Sequence, residues 1–198
     1  MARRKDQEAR RAQLSTAAQR ALIDRGLEGL RLRDVAKEAG LTPAAVLYYY
    51  EDLDTLMYET FQEAIDRFCL QREAAVEPLT DAADRLRTCI DSGVASGRDD
   101  VLPRLLFEFW PRSLRDPRAA AMDSSLAERQ VTVYYATLVL GQAQGVFTLT
   151  DPPRMLATSF VALEDGYQME ILAGRRTRDE VVAALHAFAA AVTGHRLT

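Results

Sequence analysis

Apolar residues recur at three- and four-residue spacings along nearly the whole chain, and clean period-2 alternation is scarce, so the pattern predicts helices. The first helix is expected from about Lys5 to Asp24, with Leu14, Ala18, Ala21 and Leu22 on one face and Gly26 as its stop. A second, short helix is expected over Arg33–Ala39 and ends at Gly40. Thr42 can cap a third, with Pro43 at the first helical position, where a missing N–H costs nothing; Ala44 to Tyr50 fill it. A longer helix then runs from Leu53 to Ala75, before Pro78. Helical patterns follow over Asp81–Ser96, Leu102–Leu114, Ser124–Gly145, Arg154–Leu172 and Asp179–Val192. Their separators are Gly97 to Asp100, Asp116-Pro117, Thr150 to Pro153 and Gly174. The expected fold is all-α: a three-helix N-terminal domain over residues 1–52, then a larger domain of about six helices over residues 53–198.

Composition narrows the class. Of 198 residues, 48% are apolar and 27% charged, which suits a packed chain rather than a disordered one. No apolar stretch approaches the roughly 20 residues of a membrane span, and no apolar signal core follows the charged start Met1 to Asp6, so a cytoplasmic location and no membrane partner are expected. Cys69 and Cys89 fall inside apolar helical patterns and read as buried free thiols. His186 and His195 sit at no ligand spacing from a cysteine, so neither a metal nor a cofactor is expected.

The net charge of −4 is unevenly spread. Residues 1–50 hold ten Lys or Arg against six acids, a net of +4, which leaves −8 to the other 148 residues. A basic head on an acidic body fits a polyanion-binding module joined to a non-binding domain, although a solvated helix with a chance excess of base gives the same count.

The packet from Leu32 to Leu47 has the form of a helix-turn-helix. Ala36 permits close approach of the two helices, Gly40 takes the turn, and Leu41 and Val46 plug the shared core. The second helix can then present its N-terminal turn to the major groove. Any helical hairpin could produce this pattern, so the flanks matter. A long basic, Ala-rich helix ends in glycine (Arg10 to Gly26), Val35 to Thr42 follows, and the aromatic cluster Tyr48-Tyr49-Tyr50 precedes Leu56. Together these resemble the TetR family of one-component regulators.

The resemblance implies a recognition helix over Thr42–Tyr48, with Pro43, Ala44, Ala45 and Leu47 facing base edges and Thr42, Tyr48 and Tyr49 approaching phosphates. Core packing is the alternative for the tyrosines, and Tyr50 takes the family's aromatic core position. Three positions depart from the family: Arg31 where Ser or Thr is common, Leu53 where a lysine is usual, and Leu47 where a tyrosine is common. Arg31, Arg33 or the N-terminal Arg3, Arg4 and Lys5 are candidates to replace the lost phosphate contacts, and Lys37 is a further candidate for a phosphate contact. No Arg, Asn or Gln lies on the recognition helix, so bidentate pairing with guanine or adenine is not on offer there. Thymine methyls, phosphate clamps and DNA shape are expected to carry specificity.

The body carries Phe109-Trp110, Arg115-Asp116-Pro117, Gly141 to Phe147, Asp151-Pro152 and Ala162 to Gly166, which resemble the BetI-like, choline-responsive branch of the family. This implies an effector pocket among the middle helices and a homodimer built by the last two. Candidate pocket residues are Phe107, Glu108, Trp110, Tyr134, Tyr135, Phe147, Glu164 and Tyr167, because aromatics beside carboxylates can hold a cation. An aromatic core with solvent-facing carboxylates is the alternative. Leu156, Phe160, Leu163, Tyr167 and Ile171 form one helical stripe and Val181, Leu185, Phe188 and Val192 another; they read as dimer surface or as the core of one chain.

An enzyme is not expected, since no Ser/His/Asp or Cys/His constellation or phosphate loop is present, and the adjacent Glu164 and Asp165 point about 100° apart on a helix. The sequence therefore predicts a transcriptional regulator, with repression as the family's usual mode. Its expected partners are a palindromic double-stranded operator, a second copy of itself and an unidentified small effector. A helical protein-interaction module or an activator of the same fold is the alternative.

Overall fold

The computed structural model describes residues 2–197, and the side chains of residues 7–197. Among them are nine helices and no strand: α1 (Ala2–Arg25), α2 (Leu32–Glu38), α3 (Pro43–Leu47), α4 (Leu53–Val76), α5 (Ala82–Gly93), α6 (Val101–Ser113), α7 (Pro117–Ala143), α8 (Pro153–Leu172) and α9 (Arg178–Thr193). No helix among the described residues is long and apolar enough to cross a membrane.

Local chemistry sets most of the boundaries. Gly26, at φ +69°, takes the left-handed turn that ends α1, where a Cβ is costly. Asp34 Oδ2 accepts from the Arg31 N–H at 3.0 Å and closes the first turn of α2. Thr42 Oγ1 accepts from the Ala45 N–H at 3.2 Å, with Pro43 at the first position of α3. Thr177 and Glu180 cap the start of α9 reciprocally.

One boundary corrects the sequence reading. Asp116-Pro117 is not a separator before a helix at Ser124 but the start of α7. The Asp116 carboxylate accepts from the Arg118 N–H at 2.8 Å and the Ala119 N–H at 3.4 Å, and Pro117 takes the position that needs no donor.

The chain packs as two compact units. The first, Met1–Asp66 with Arg104–Ala120, holds α1 to α3, the start of α4 and most of α6. This grouping follows packing and differs from a single cut after residue 52. Leu14, Ala18 and Leu22 of α1, Val35 of α2, Val46 of α3 and Leu56 of α4 are buried in this unit, and Phe61 stacks on Phe109 at 4.2 Å. The second unit, Arg67–Pro103 with Ala121–Thr198, has a core around Leu86, Ile90, Tyr134, Leu138, Phe160 and Leu185. Cys69 and Cys89 are buried in it and form no disulfide, as the apolar pattern predicted.

Candidate DNA interface and buried ion cluster

In the first unit, α3 is held from below and open above. Val46 and Tyr50 are buried, whereas Leu47 is 47% and Tyr48 67% exposed, so an apolar and an aromatic side chain stand side by side in solvent. Pro43 and Ala44 are exposed, and Ala45 and Tyr49 half-buried. Tyr48 and Tyr49 meet edge to face, ring centres 5.0 Å apart. Tyr50 is core; burial, chiefly, pushes its phenol up to about 12.

Arg33 and Lys37 are exposed on α2. Arg31 is exposed as well, but its Nη1 donates to the Glu28 and Leu30 carbonyls, both at 2.9 Å, so the guanidinium also ties down the turn that leads into α2. The side chains of Arg3, Arg4 and Lys5 lie outside the described residues. α1 reaches both ends of the motif. Gln13 Nε2 donates to the Ala39 carbonyl at 3.1 Å, and Arg11 Nη2 to the Tyr49 carbonyl at 2.9 Å.

The same unit contains a clamp between α4 and the α6–α7 corner. Arg112 Nη2 donates to Asp54 Oδ1 at 2.9 Å, and its guanidinium lies 5.3 Å from the Tyr58 ring centre. The Tyr58 hydroxyl donates to the Asp116 carboxylate, and Arg118 covers the same ring at 4.1 Å. That hydrogen bond holds the Asp116 carboxyl below its ordinary range. Beside the clamp lies an open cavity of about 880 Å³, lined among others by Arg31, Asp54, Glu108, Arg112 and Asp116. Of the candidate effector residues, Phe107, Glu108 and Trp110 belong to this unit, and Phe107 and Trp110 meet at 5.1 Å.

The other candidates belong to the second unit, so the eight do not form one set. Tyr134 and Glu164 do come together, and both are buried. The cation between them is one the chain supplies itself, which the sequence reading missed. Arg72 of α4, 1% exposed, places Nη2 at 2.8 and 3.0 Å from the two Glu164 oxygens. Its guanidinium lies 4.8 Å from the Tyr134 ring centre, and the Tyr134 hydroxyl donates to Glu164. Nη1 donates to Gln130 Oε1 at 2.9 Å and Nη2 to the Cys89 carbonyl at 2.7 Å. Glu164 is therefore not the solvent-facing carboxylate of the bland alternative. Burial lifts its carboxyl above the ordinary range, and the Arg72 charge opposes that lift. Gly93 of α5 backs onto the pair so closely that a Cβ there would sit 2.2 Å from Glu164 Oε1.

Next along α8, Asp165 is pushed up to about 7, first by burial and then by the charges of Glu164 and Asp123. Phe147 is buried with its ring against Gly141, where a Cβ would sit 1.9 Å away. Tyr135 is 40% exposed, and Tyr167 is half-buried with Arg176 6.0 Å from its ring centre.

The two stripes assigned to a dimer surface divide. Leu156, Phe160, Ile171, Val181 and Leu185 are buried within their own unit, so the single-chain-core alternative holds for them. Leu163, Tyr167, Phe188 and Val192 are only partly buried. The outward faces of α8 and α9 carry Met155, Ala162, Gly166, Met169, Ala183 and Ala187 instead.

Comparison with known proteins agrees with this architecture. The family model described as bacterial regulatory proteins, tetR family, matches residues 14–59, from the middle of α1 into α4. The HTH-type transcriptional regulator BetI of Burkholderia cenocepacia (strain HI2424) is 31% identical over 116 residues; the match spans 56% of this chain and 58% of that relative. PksA of Bacillus subtilis (strain 168), also an HTH-type transcriptional regulator, is 42% identical over 52 residues, 26% of this chain and 25% of that one. A transcriptional regulator from Saccharomonospora viridis, solved in complex with choline, superposes with TM-score 0.84 at 25% identity, covering 91% of this chain and 95% of its own. A TetR transcription regulator from Haloarcula marismortui superposes with TM-score 0.84 at 21% identity, covering 94% and 99%. Residues 14–59 therefore match the tetR family of bacterial regulatory proteins, and the chain shares the fold of these solved regulators.

Proposed function

We propose that this chain is a DNA-binding transcriptional regulator, a repressor that grips a palindromic operator as a homodimer and is released by a small molecule. The observation that supports it best is the outward display of Leu47 and Tyr48 from a short helix whose Val46 and Tyr50 are buried. A surface that spends apolar side chains on solvent, beside exposed Arg33 and Lys37, suits a groove with thymine methyls between phosphates. Thr42, Pro43, Ala44, Ala45 and Tyr49 complete the reading face, with Arg31 at its edge.

The dimer surface is assigned to the outward faces of α8 and α9, where Ala162, Gly166, Ala183 and Ala187 allow helices of two copies to approach closely and Met155 and Met169 flank them. The effector is assigned to the second unit and is left chemically open. The choline bound by the Saccharomonospora viridis regulator is not carried over to Tyr134 and Glu164, because Arg72 already fills the space between that ring and that carboxylate.

The test is binding of the full chain to duplexes selected from a random library, followed by anisotropy titration at several salt concentrations. Selection of a two-fold symmetric site, with affinity falling steeply as salt rises, is the expected result. Failure to bind any duplex at about 50 mM salt, where phosphate contacts count most, overturns the reading. A selected site without two-fold symmetry overturns the dimer.

A further inference from the structure

α3 has five residues, too few to be stable on its own, so its direction is set by what holds its two ends. The N-terminal end is held locally by the Thr42 cap. The C-terminal end leaves carbonyls that helical bonding cannot satisfy. In the turn that leaves it, two residues past Leu47, the Tyr49 carbonyl accepts from Arg11 Nη2 at 2.9 Å. The other arm of the same guanidinium, Nη1, reaches Glu59 Oε2 on α4 at 2.7 Å, and the group lies 4.8 Å from the Tyr50 ring centre. A single side chain of α1 thus joins the exit of the recognition helix, the aromatic ring that anchors it and the helix that follows. A planar fork can serve two such acceptors at fixed angles, which an ammonium cannot.

Arg11 was counted in the basic head that points to a polyanion, but its charge is engaged by Glu59. We infer that Arg11 is a positioning residue of the DNA interface, fixing the exit of α3 and with it Tyr48 and Tyr49, and that it makes no phosphate contact. This rests on the DNA-binding reading above.

The test compares the full-length wild-type chain with R11Q, R11K and E59Q on two duplexes, the selected site and a scrambled one, over about 50 to 200 mM salt, with thermal melting alongside. R11Q is expected to weaken binding to the selected site about tenfold while leaving the scrambled duplex within about twofold and the salt slope unchanged. R11K, which keeps the charge but not the fork, recovers only part of the loss. E59Q, which keeps Arg11 and weakens one arm of the clamp, gives a smaller loss confined to the selected site. An equal loss on both duplexes with a salt slope shallower by about one makes Arg11 a phosphate ligand and overturns the inference. Full recovery by R11K, or unchanged selectivity in a folded R11Q, overturns it too. Should R11Q not melt cooperatively, E59Q decides, and undiminished selectivity there is the overturning result. A wild-type chain that binds neither duplex overturns the DNA-binding reading itself, a different failure from any of these.

Discussion

The two units treat polar chemistry in opposite ways. The first keeps its candidate reading groups in solvent and spends hydrogen bonds on the backbone that carries them: Thr42, Gln13 and Arg11 all tie down main-chain groups at the ends of α2 and α3. The second draws a full ion pair inside, with Arg72 and Glu164 both nearly unexposed. Taking two charges from water costs several kcal/mol per ion, offset only by close geometry. Substitution in the first unit should therefore change what the protein binds, and substitution at the ion pair should change whether the chain folds.

The largest effect is expected at that pair. Arg72→Ala leaves a buried carboxylate without its counter-charge and should destabilise the chain by about 3–5 kcal/mol, read by denaturant titration. Replacing both partners with apolar residues, Arg72→Met with Glu164→Leu, should recover much of that loss; a double variant as unstable as the single one would remove the ion pair as the cause. Gly93→Ala comes next. Its new Cβ meets Glu164 and Arg72, and overpacking of this kind costs about 1–3 kcal/mol. Wild-type melting in Gly93→Ala would show that the helices part easily there.

A pH effect sharpens the contrast. Asp165 titrates near 7 in the folded chain against an ordinary value of 3.8, because burial and the Glu164 and Asp123 charges disfavour its anion. Between those values the folded chain holds more protons than the unfolded one, so this group's contribution to stability falls as pH rises from about 4 to about 7 and is flat above. Asp165→Asn should abolish that slope and raise the melting temperature above pH 7 by about 2–4 °C. A pH–stability curve identical to wild type would refute the assignment.

The smallest stability change is expected on the exposed α2 face. Lys37→Ala should shift stability by less than about 0.5 kcal/mol. If Lys37 contacts phosphate, the same variant makes the salt slope of DNA binding shallower by about one. An unchanged slope removes it from the interface.

What was legible in the sequence follows the same divide. The first unit's helix ends are written in neighbouring residues: Gly26, Gly40 and Thr42-Pro43 act within one turn, and local chemistry can be read locally. The start of α7 is not legible in the sequence because Asp116-Pro117 is equally a break and a beginning, and only the N–H groups of Arg118 and Ala119 decide. The ion pair was hidden because its partners are 92 positions apart. A signal was nevertheless present. Arg72 continues the apolar series Ile65, Phe68, Cys69 toward Val76, and Glu164 sits on the buried side of α8 with Ala157, Phe160, Val161 and Ile171. One charge on an apolar stripe is a misfit, and two of opposite sign on separate helices suggest each other. The expected stripe on α8 shares Leu156, Phe160 and Ile171 with that buried side, but it also takes in Leu163 and Tyr167, which are only partly buried, and leaves Glu164 out. The effector candidates scatter over both units because side-chain chemistry alone does not say which helices share a unit.

Burial of both thiols gives the second unit a clock. Cys69 and Cys89 are shielded, and burial pushes the Cys89 thiol up to about 11, so it holds almost no thiolate at neutral pH. An alkylating reagent can then react only as fast as this unit opens, which turns the rate of label uptake into a direct record of its breathing. An effector that tightens the second unit should slow that clock before any DNA is added. The same shielding allows a reporter cysteine in place of exposed Tyr48 to be labelled alone, leaving the native pair untouched.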